Sequence, residues 1–347
     1  MNKSIYIVKM SLVISAFFSI LLLYSQQGTS DNNDNYIYIQ GSDLLQQLYL
    51  LKFINTYNKD TITPYYYSSY YKFDMKIKKL SKIDKRKYLS NNFSSPNREW
   101  AVEYILFKDK NNQWDTKHNL FSTVDPEKVI DLGRVKNYAW SSKGDRISFI
   151  TCRPSCPTID CPPDKWIYEA FIYNIKENSK KKIKVTAYDL SWPSFDNNIY
   201  FNLAEKWEDP RIVRYHPDSG KIEETLYESL NFSPSGKYYL FDHYDTESNR
   251  VYKREPHDDI EEINKDLENL TNLYNDAFWL ADGHSLLLQT KNNLKEFIVY
   301  DVEKGKVSKT IEGAFIGLDR SKRYGVFMKG ADQFEVVDMI PQSTNSK

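Results

Sequence analysis

Three cysteines stand within ten residues, at Cys152, Cys156 and Cys161, and the chain has no others. Thiols grouped this way can form one disulfide with one thiol left over, stay reduced, or hold a metal. The separations lack the C-x-x-C pairs of common zinc sites, and no histidine lies nearby in sequence. A disulfide among the three is the expectation, with free thiols and a metal site as alternatives. Pro154, Pro157, Pro162 and Pro163 already stiffen this stretch. A cross-link closing so short a loop adds at most about 2–3 kcal/mol and serves to hold a loop shape.

Other chemistry has little support. The chain contains no G-x-S-x-G elbow, no phosphate-binding G-x-x-x-x-G-K-[ST], no H-E-x-x-H and no acidic calcium loop. The histidines, at 118, 216, 243, 257 and 284, show no metal-ligand spacing among themselves. His216 and His257 adjoin prolines and His284 follows a glycine, so they read as turn residues. No catalytic residue, cofactor or metal is expected from these patterns.

The elements that would position any site are read from a recurring phrase: an aromatic residue, a turn-forming tetrad, then an apolar strand. The copies are Phe93-Ser94-Ser95-Pro96-Asn97, Trp140-Ser141-Ser142-Lys143-Gly144, Trp192-Pro193-Ser194-Phe195-Asp196, Phe232-Ser233-Pro234-Ser235-Gly236 and Trp279-Leu280-Ala281-Asp282-Gly283, with a degenerate one at Leu318-Asp319-Arg320-Ser321. Their spacing of 39 to 52 residues is close to the period of a four-stranded propeller blade. The aromatic ends an inner strand and packs against the neighbouring blade. The turn residues swing the chain into the second strand, such as Tyr238, Tyr239, Leu240 and Phe241.

These copies resemble the TolB-type propeller repeat, which reads roughly W-S-P-D-G-K before an apolar strand. Phe232-Ser233-Pro234-Ser235-Gly236-Lys237 departs from it only in the aromatic and in Ser235. The resemblance covers roughly residues 89–347. It implies an all-β propeller and an extracytoplasmic setting, and it carries no catalytic residues. Six blades are expected, with five or seven as alternatives.

In this architecture the loops joining second and third strands emerge on one face of the ring. They carry Trp114, Trp166, Trp207 and Tyr244 together with Glu208, Asp209 and Asp245, and the cysteine loop is the longest of them. Exposed Trp and Tyr offer large, rigid contact area, which suits recognition; folding back over strand ends is the competing role.

Composition narrows the partners. The 347 residues hold 47 basic and 47 acidic side chains, which disfavours a nucleic-acid surface. Aromatic residues make up 15%, and they suit strands. Lys3 and Lys9 supply positive charge ahead of an apolar run at 10–24, and Gly28-Thr29-Ser30 offers a cleavage site. Residues 1–30 therefore read as a signal peptide, giving a periplasmic or secreted protein, or as a membrane anchor. The run is short against the roughly 20 residues a span needs.

Residues 31–72 form an N-terminal extension with a strand candidate at Tyr36-Ile37-Tyr38-Ile39 and a helix at about 43–56, marked by Leu44, Leu45, Leu48, Leu51 and Ile54. Residues 73–347 form the propeller. The last blade runs out of chain before an outer strand, so the strand at about 73–83 is expected to supply it and close the ring. Residues 258–270 fit either a short helical insertion or an irregular outer strand. The resulting reading is a non-catalytic extracytoplasmic platform of the cell envelope that binds a protein or peptide. The alternative is a propeller hydrolase or lyase acting on a glycan, with Glu208, Asp209 and Asp245 as the source of its carboxylates.

Overall fold

The computed structural model describes residues 36–40, 70–108, 114–125, 127–154, 166–203, 211–243, 248–254, 260–263, 267, 277–290, 293, 295–330 and 333–340. Among them the chain is almost entirely β, arranged as seven antiparallel sheets of consecutive strands. Sheet 1 holds β1 (Tyr36–Gln40), β2 (Tyr70–Asp74) and β3 (Lys79–Ile83). Sheet 2 holds β4 (Trp100–Lys108), β5 (Trp114–Ser122) and β6 (Val129–Gly133). Sheet 3 holds β7 (Val135–Trp140), β8 (Arg146–Pro154), β9 (Trp166–Asn174) and β10 (Ser179–Ile183). Sheet 4 holds β11 (Asp189–Ser191), β12 (Ile199–Asn202), β13 (Ile212–Tyr215) and β14 (Ile222–Glu224). Sheet 5 holds β15 (Asn231–Phe232), β16 (Tyr238–His243), β17 (Ser248–Arg254) and β18 (Ile260–Ile263). Sheet 6 holds β19 (Ala277–Trp279), β20 (Ser285–Gln289), β21 (Glu296–Asp301) and β22 (Lys306–Glu312). Sheet 7 holds β23 (Ala314–Leu318), β24 (Tyr324–Gly330) and β25 (Gln333–Asp338).

Each sheet packs face to face on the next. Trp192 and Phe201 meet Ile150 and Ala170 between sheets 4 and 3. Tyr200 and Tyr227 meet Tyr239 and Tyr252 between sheets 4 and 5. Trp279 and Leu288 meet Leu240 between sheets 6 and 5, and Phe297 meets Phe327 between sheets 6 and 7. Val326 and Met328 of sheet 7 meet Ile39 and Phe73 of sheet 1. Ala101 and Phe121 meet Tyr70 and Ile83 between sheets 2 and 1, and Val102 meets Phe149 between sheets 2 and 3. The seams run in a circle, which makes the fold a β-propeller. Side chains on alternate positions fill them, and each fully buried Leu, Ile or Phe contributes about 1.5–3 kcal/mol.

The recurring phrase is a shared turn. The residue after the aromatic accepts, through its side chain, the backbone N–H five residues on: Ser141 from Arg146 at 3.1 Å, Ser233 from Tyr238 at 3.2 Å and Asp319 from Tyr324 at 2.7 Å. The last residue of the turn takes positive φ at Gly144, Gly236, Gly283 and Lys322. In the first copy Ser95 accepts from Trp100 and Arg98 takes the positive φ. Ser94 therefore occupies the aromatic position there, and the sequence reading was one residue early at Phe93.

One further expectation changes. Residues 73–83 do not supply an outer strand to the last sheet. They span a hairpin: Asp74 Oδ1 accepts from the N–H groups of Lys76 and Ile77, Lys78 takes φ 53°, and β2 and β3 pair with each other in a sheet of their own. Sheet 7 has three strands among the described residues, and sheet 1 lies over its face rather than along its edge. Of the two readings for 258–270, the structure takes the outer strand: Ile260–Ile263 pairs with β17. The helix expected at 43–56 lies outside the described residues. One helix that periodicity did not reveal, α1 (Lys85–Asn92), is capped by Asp84, whose side chain accepts from Lys87 N, and it buries Tyr88 and Leu89.

Candidate functional site at the loop face of sheets 2, 3 and 4

Of the residues singled out from sequence, Trp166 opens β9 and is half-buried, and Trp114 opens β5. Trp207, Glu208, Asp209, Tyr244, Asp245, Cys156 and Cys161 lie outside the described residues. Cys152 is a buried free thiol, and burial pushes its ionisation up. A thiol held neutral in this way is a packing group rather than a nucleophile.

Around Cys152 the structure collects groups that sequence reasoning did not join. The connection from sheet 2 to sheet 3 is one residue, Arg134, because Gly133 takes φ 80° and turns the chain at once into β7. The Arg134 carbonyl accepts from Cys152 N at 3.1 Å. Its guanidinium lies over the Trp166 ring, 4.7 Å from the centroid, and pairs with Asp115 at 3.5 Å.

The next residue but one is Lys136. The pairing of β7 with β8 jumps from Val135↔Thr151 to Asn137↔Ile150, so Lys136 is an extra residue in a bulge. Bulges re-aim a side chain. This one sets the Lys136 ammonium against a pair of rings, 4.7 Å from the centroid of Tyr168 and 5.3 Å from that of Tyr188. The rings are themselves 4.6 Å apart. Burial pulls the lysine below its ordinary value, while Asp189 and Cys152 act in the opposite sense. Asp189 is already occupied: it accepts from Asn137 Nδ2 across the seam between sheets 3 and 4, and from Leu190 N at 2.8 Å. Lys136 thus carries a charge with no ion-pair partner among the described residues.

His118 completes the base of the cluster. Its Nδ1 accepts from Val135 N at 3.3 Å, which places the remaining proton on Nε2. Burial drives its pKa down to about 4. The Tyr104 ring packs edge-on against it at 5.4 Å, and Tyr104 is 45% exposed. The arrangement offers two cations backed by aromatic faces, a neutral imidazole and a neutral thiol. That combination can hold an anionic or planar group. Cation–π contacts at such exposed positions are worth about 0.5–1 kcal/mol each. Among the described residues no three His, Cys, Asp or Glu side chains are grouped to hold a metal.

The only advance signal for this cluster was a cluster of apolar and basic residues at 134–138. Neither bulge nor ring geometry follows from it, because both depend on how sheets 3 and 4 meet.

No protein-family model matches the sequence, and no curated protein does. Solved structures do. An oligogalacturonate lyase in complex with manganese aligns over 77% of this chain and 81% of its own, with a TM-score of 0.50 and 10% identity. The Cps50 (Swd1) β-propeller domain of Myceliophteria thermophila aligns over 77% and 88%, at 0.47 and 9%. An acylaminoacyl peptidase from Pyrococcus horikoshii aligns over 77% of this chain but 46% of its own, at 0.46 and 11%. At these identities the likeness is one of fold, and propellers serve unrelated tasks.

Proposed function

We propose that this chain is a non-catalytic recognition platform of the cell envelope, with a TolB-type propeller whose loop face binds a protein or peptide. The observation that carries the reading is Lys136, without an ion-pair partner among the described residues and set against the Tyr168 and Tyr188 rings beside the Arg134–Trp166 stack. Trp, Tyr and Arg side chains are the residues enriched in binding hot spots. The thiol and the imidazole beside them are held neutral and serve as walls. The envelope setting rests on Lys3, Lys9 and the apolar run at 10–24. Among the described residues no helix is long and apolar enough to cross a membrane.

Two measurements test this. Fractionation of cells carrying the tagged full chain is expected to find it outside the cytoplasm; recovery in the cytosol removes the envelope setting. Crosslinking in the native envelope is expected to give one dominant protein partner that is lost with Tyr168→Ala/Tyr188→Ala. Turnover of a glycan by the purified chain, abolished by substitution at Glu208, Asp209 or Asp245, replaces the platform with the enzyme reading.

A further inference from the structure

Among the described residues sheet 2 has little of an inner strand. Its only inward partner among the described residues is the bridge between Ser94 and Ala101, extended by Val102 N donating to Phe93 O at 3.3 Å. Helix α1 uses the chain just before it. Yet β4 runs on to Lys108, paired with β5 on its other side. Backbone groups of an antiparallel strand face its two neighbours alternately. Trp100 and Val102 bond inward, so Tyr104 and Leu106 also direct their N–H groups inward, where no strand lies among the described residues. The Tyr104 carbonyl is taken by Lys85 Nζ at 3.0 Å, and among the described residues nothing accepts from the two N–H groups. The side chains of the same two residues are exposed, Tyr104 at 45% and Leu106 at 58%. Propellers normally protect such edges.

We propose that this open edge of β4 is a strand-addition site for an extended peptide bearing acidic side chains. Main-chain hydrogen bonds to Tyr104 and Leu106 supply affinity, and alternate side chains supply selection. Acidity follows from what borders the edge. The Tyr104 ring touches His118, His118 accepts from Val135 N, and Val135 lies between Arg134 and the unpaired Lys136. Arg134 is already paired with Asp115, so an anionic side chain from a strand on β4 is directed to Lys136. The inference rests on the platform reading and adds the mode of binding and the ligand chemistry.

The test begins with hydrogen exchange of the free full-length protein. The Tyr104 and Leu106 amides are expected to exchange fast while the Ala101 and Glu103 amides are protected. Slow exchange at low concentration means that the chain's own segment covers the edge, and slow exchange only at high concentration means a second copy; either overturns the proposal. Next, a fluorescein-labelled peptide of alternating Glu and Val is titrated against the protein, beside versions N-methylated at one or the other alternate set of amides. Methylation of one set is expected to weaken binding by about tenfold or more, and of the other set hardly at all. Leu106→Pro, which removes a free N–H, is expected to give the same loss with little change in Tm. Should that variant misfold, the methylated peptides still decide. Peptide binding that is lost in Lys136→Glu but indifferent to methylation leaves the platform standing and sinks the strand-addition mode. No peptide binding at all, with the edge amides fast, removes both.

Discussion

The ring of Phe195 lies 2.5 Å from the point where a Cβ on Gly236 would stand. Phe195 belongs to the turn of one repeat and Gly236 to the turn of the next. The same pairing recurs between Ser235 and Gly283, at 2.6 Å, and between Asn97 and Gly144, at 2.7 Å. In these three pairs the penultimate residue of one turn seats against the glycine of the next. These glycines do two jobs, allowing positive φ and leaving space for a neighbour.

Gly236→Ala is expected to cost more than Gly133→Ala. Both residues have positive φ, and a non-glycine residue there costs about 1–3 kcal/mol. Only at 236 does the new methyl also strike a packed ring, since nothing lies within 4 Å of a Cβ at 133. Chemical denaturation of the two variants measures the difference; equal losses would show that the Phe195 contact yields freely.

The turns of sheets 7 and 2 are also joined directly. Arg320, in the turn of sheet 7, donates to Ser94 Oγ and Ser95 O, both at 3.3 Å, in the turn of sheet 2. Arg320→Ala is expected to lower stability by about 1–3 kcal/mol, whereas Arg320→Lys recovers part of it. Thermal unfolding provides the reading, and an unchanged Tm in the alanine variant would mean that sheet packing alone holds the closure.

Sheet 1 makes its own contribution to that closure. Phe73 is fully buried and its ring centroid lies 4.9 Å from that of Phe334. Phe73→Ala is expected to cost about 3–5 kcal/mol. Removal of residues 1–84 uncovers Val326 and Met328 as well, and aggregation of that shortened chain is the expected outcome. Normal solubility and an unaltered Tm would show that sheet 1 is dispensable.

Two groups set separate acid limits. His118 has its pKa lowered from 6.5 to about 4, so the unfolded chain binds its proton first. Stability from this group is complete above about pH 6.5 and declines as pH falls toward 4. Glu223 is held down at about 2 by Lys221, His216 and Arg214, against 4.5 ordinarily. Its contribution is present above 4.5 and declines as pH falls toward 2. Glu223 is exposed enough for salt to weaken the effect, while His118 is shielded. Tm measured against pH is expected to flatten between 6.5 and 4 in His118→Gln, and only below 4.5 in Glu223→Gln. Identical profiles in wild type and His118→Gln would rule out the buried neutral imidazole.

Much of the propeller was written locally. A turn in which Ser141, Ser233 or Asp319 ties back a backbone N–H, with a glycine or its stand-in at positive φ, needs only neighbouring residues. Periodicity therefore disclosed the repeats, the strand at Tyr36–Gln40 and the order of strands within each sheet. It missed the seventh sheet, because β2 and β3 carry no repeat phrase and their burial depends on Val326 and Met328, far away in the chain. It missed the hairpin turn at 75–78 because the apolar alternation of Phe73, Met75 and Ile77 looks continuous until Asp74 folds it back.

The candidate site was still less legible. Tryptophans and cysteines announced a loop face, but nothing in their spacing joined Lys136 to Tyr168, Tyr188 and Asp189. Those residues meet because a one-residue bulge rotates Lys136 and because two sheets pack at that height. Residue types and turns determined the architecture, since hydrogen bonds between near neighbours and alternating burial are local. Tertiary structure alone decided which cation stands unpaired and which strand edge stays open, since both depend on distant segments arriving, or failing to arrive, beside them.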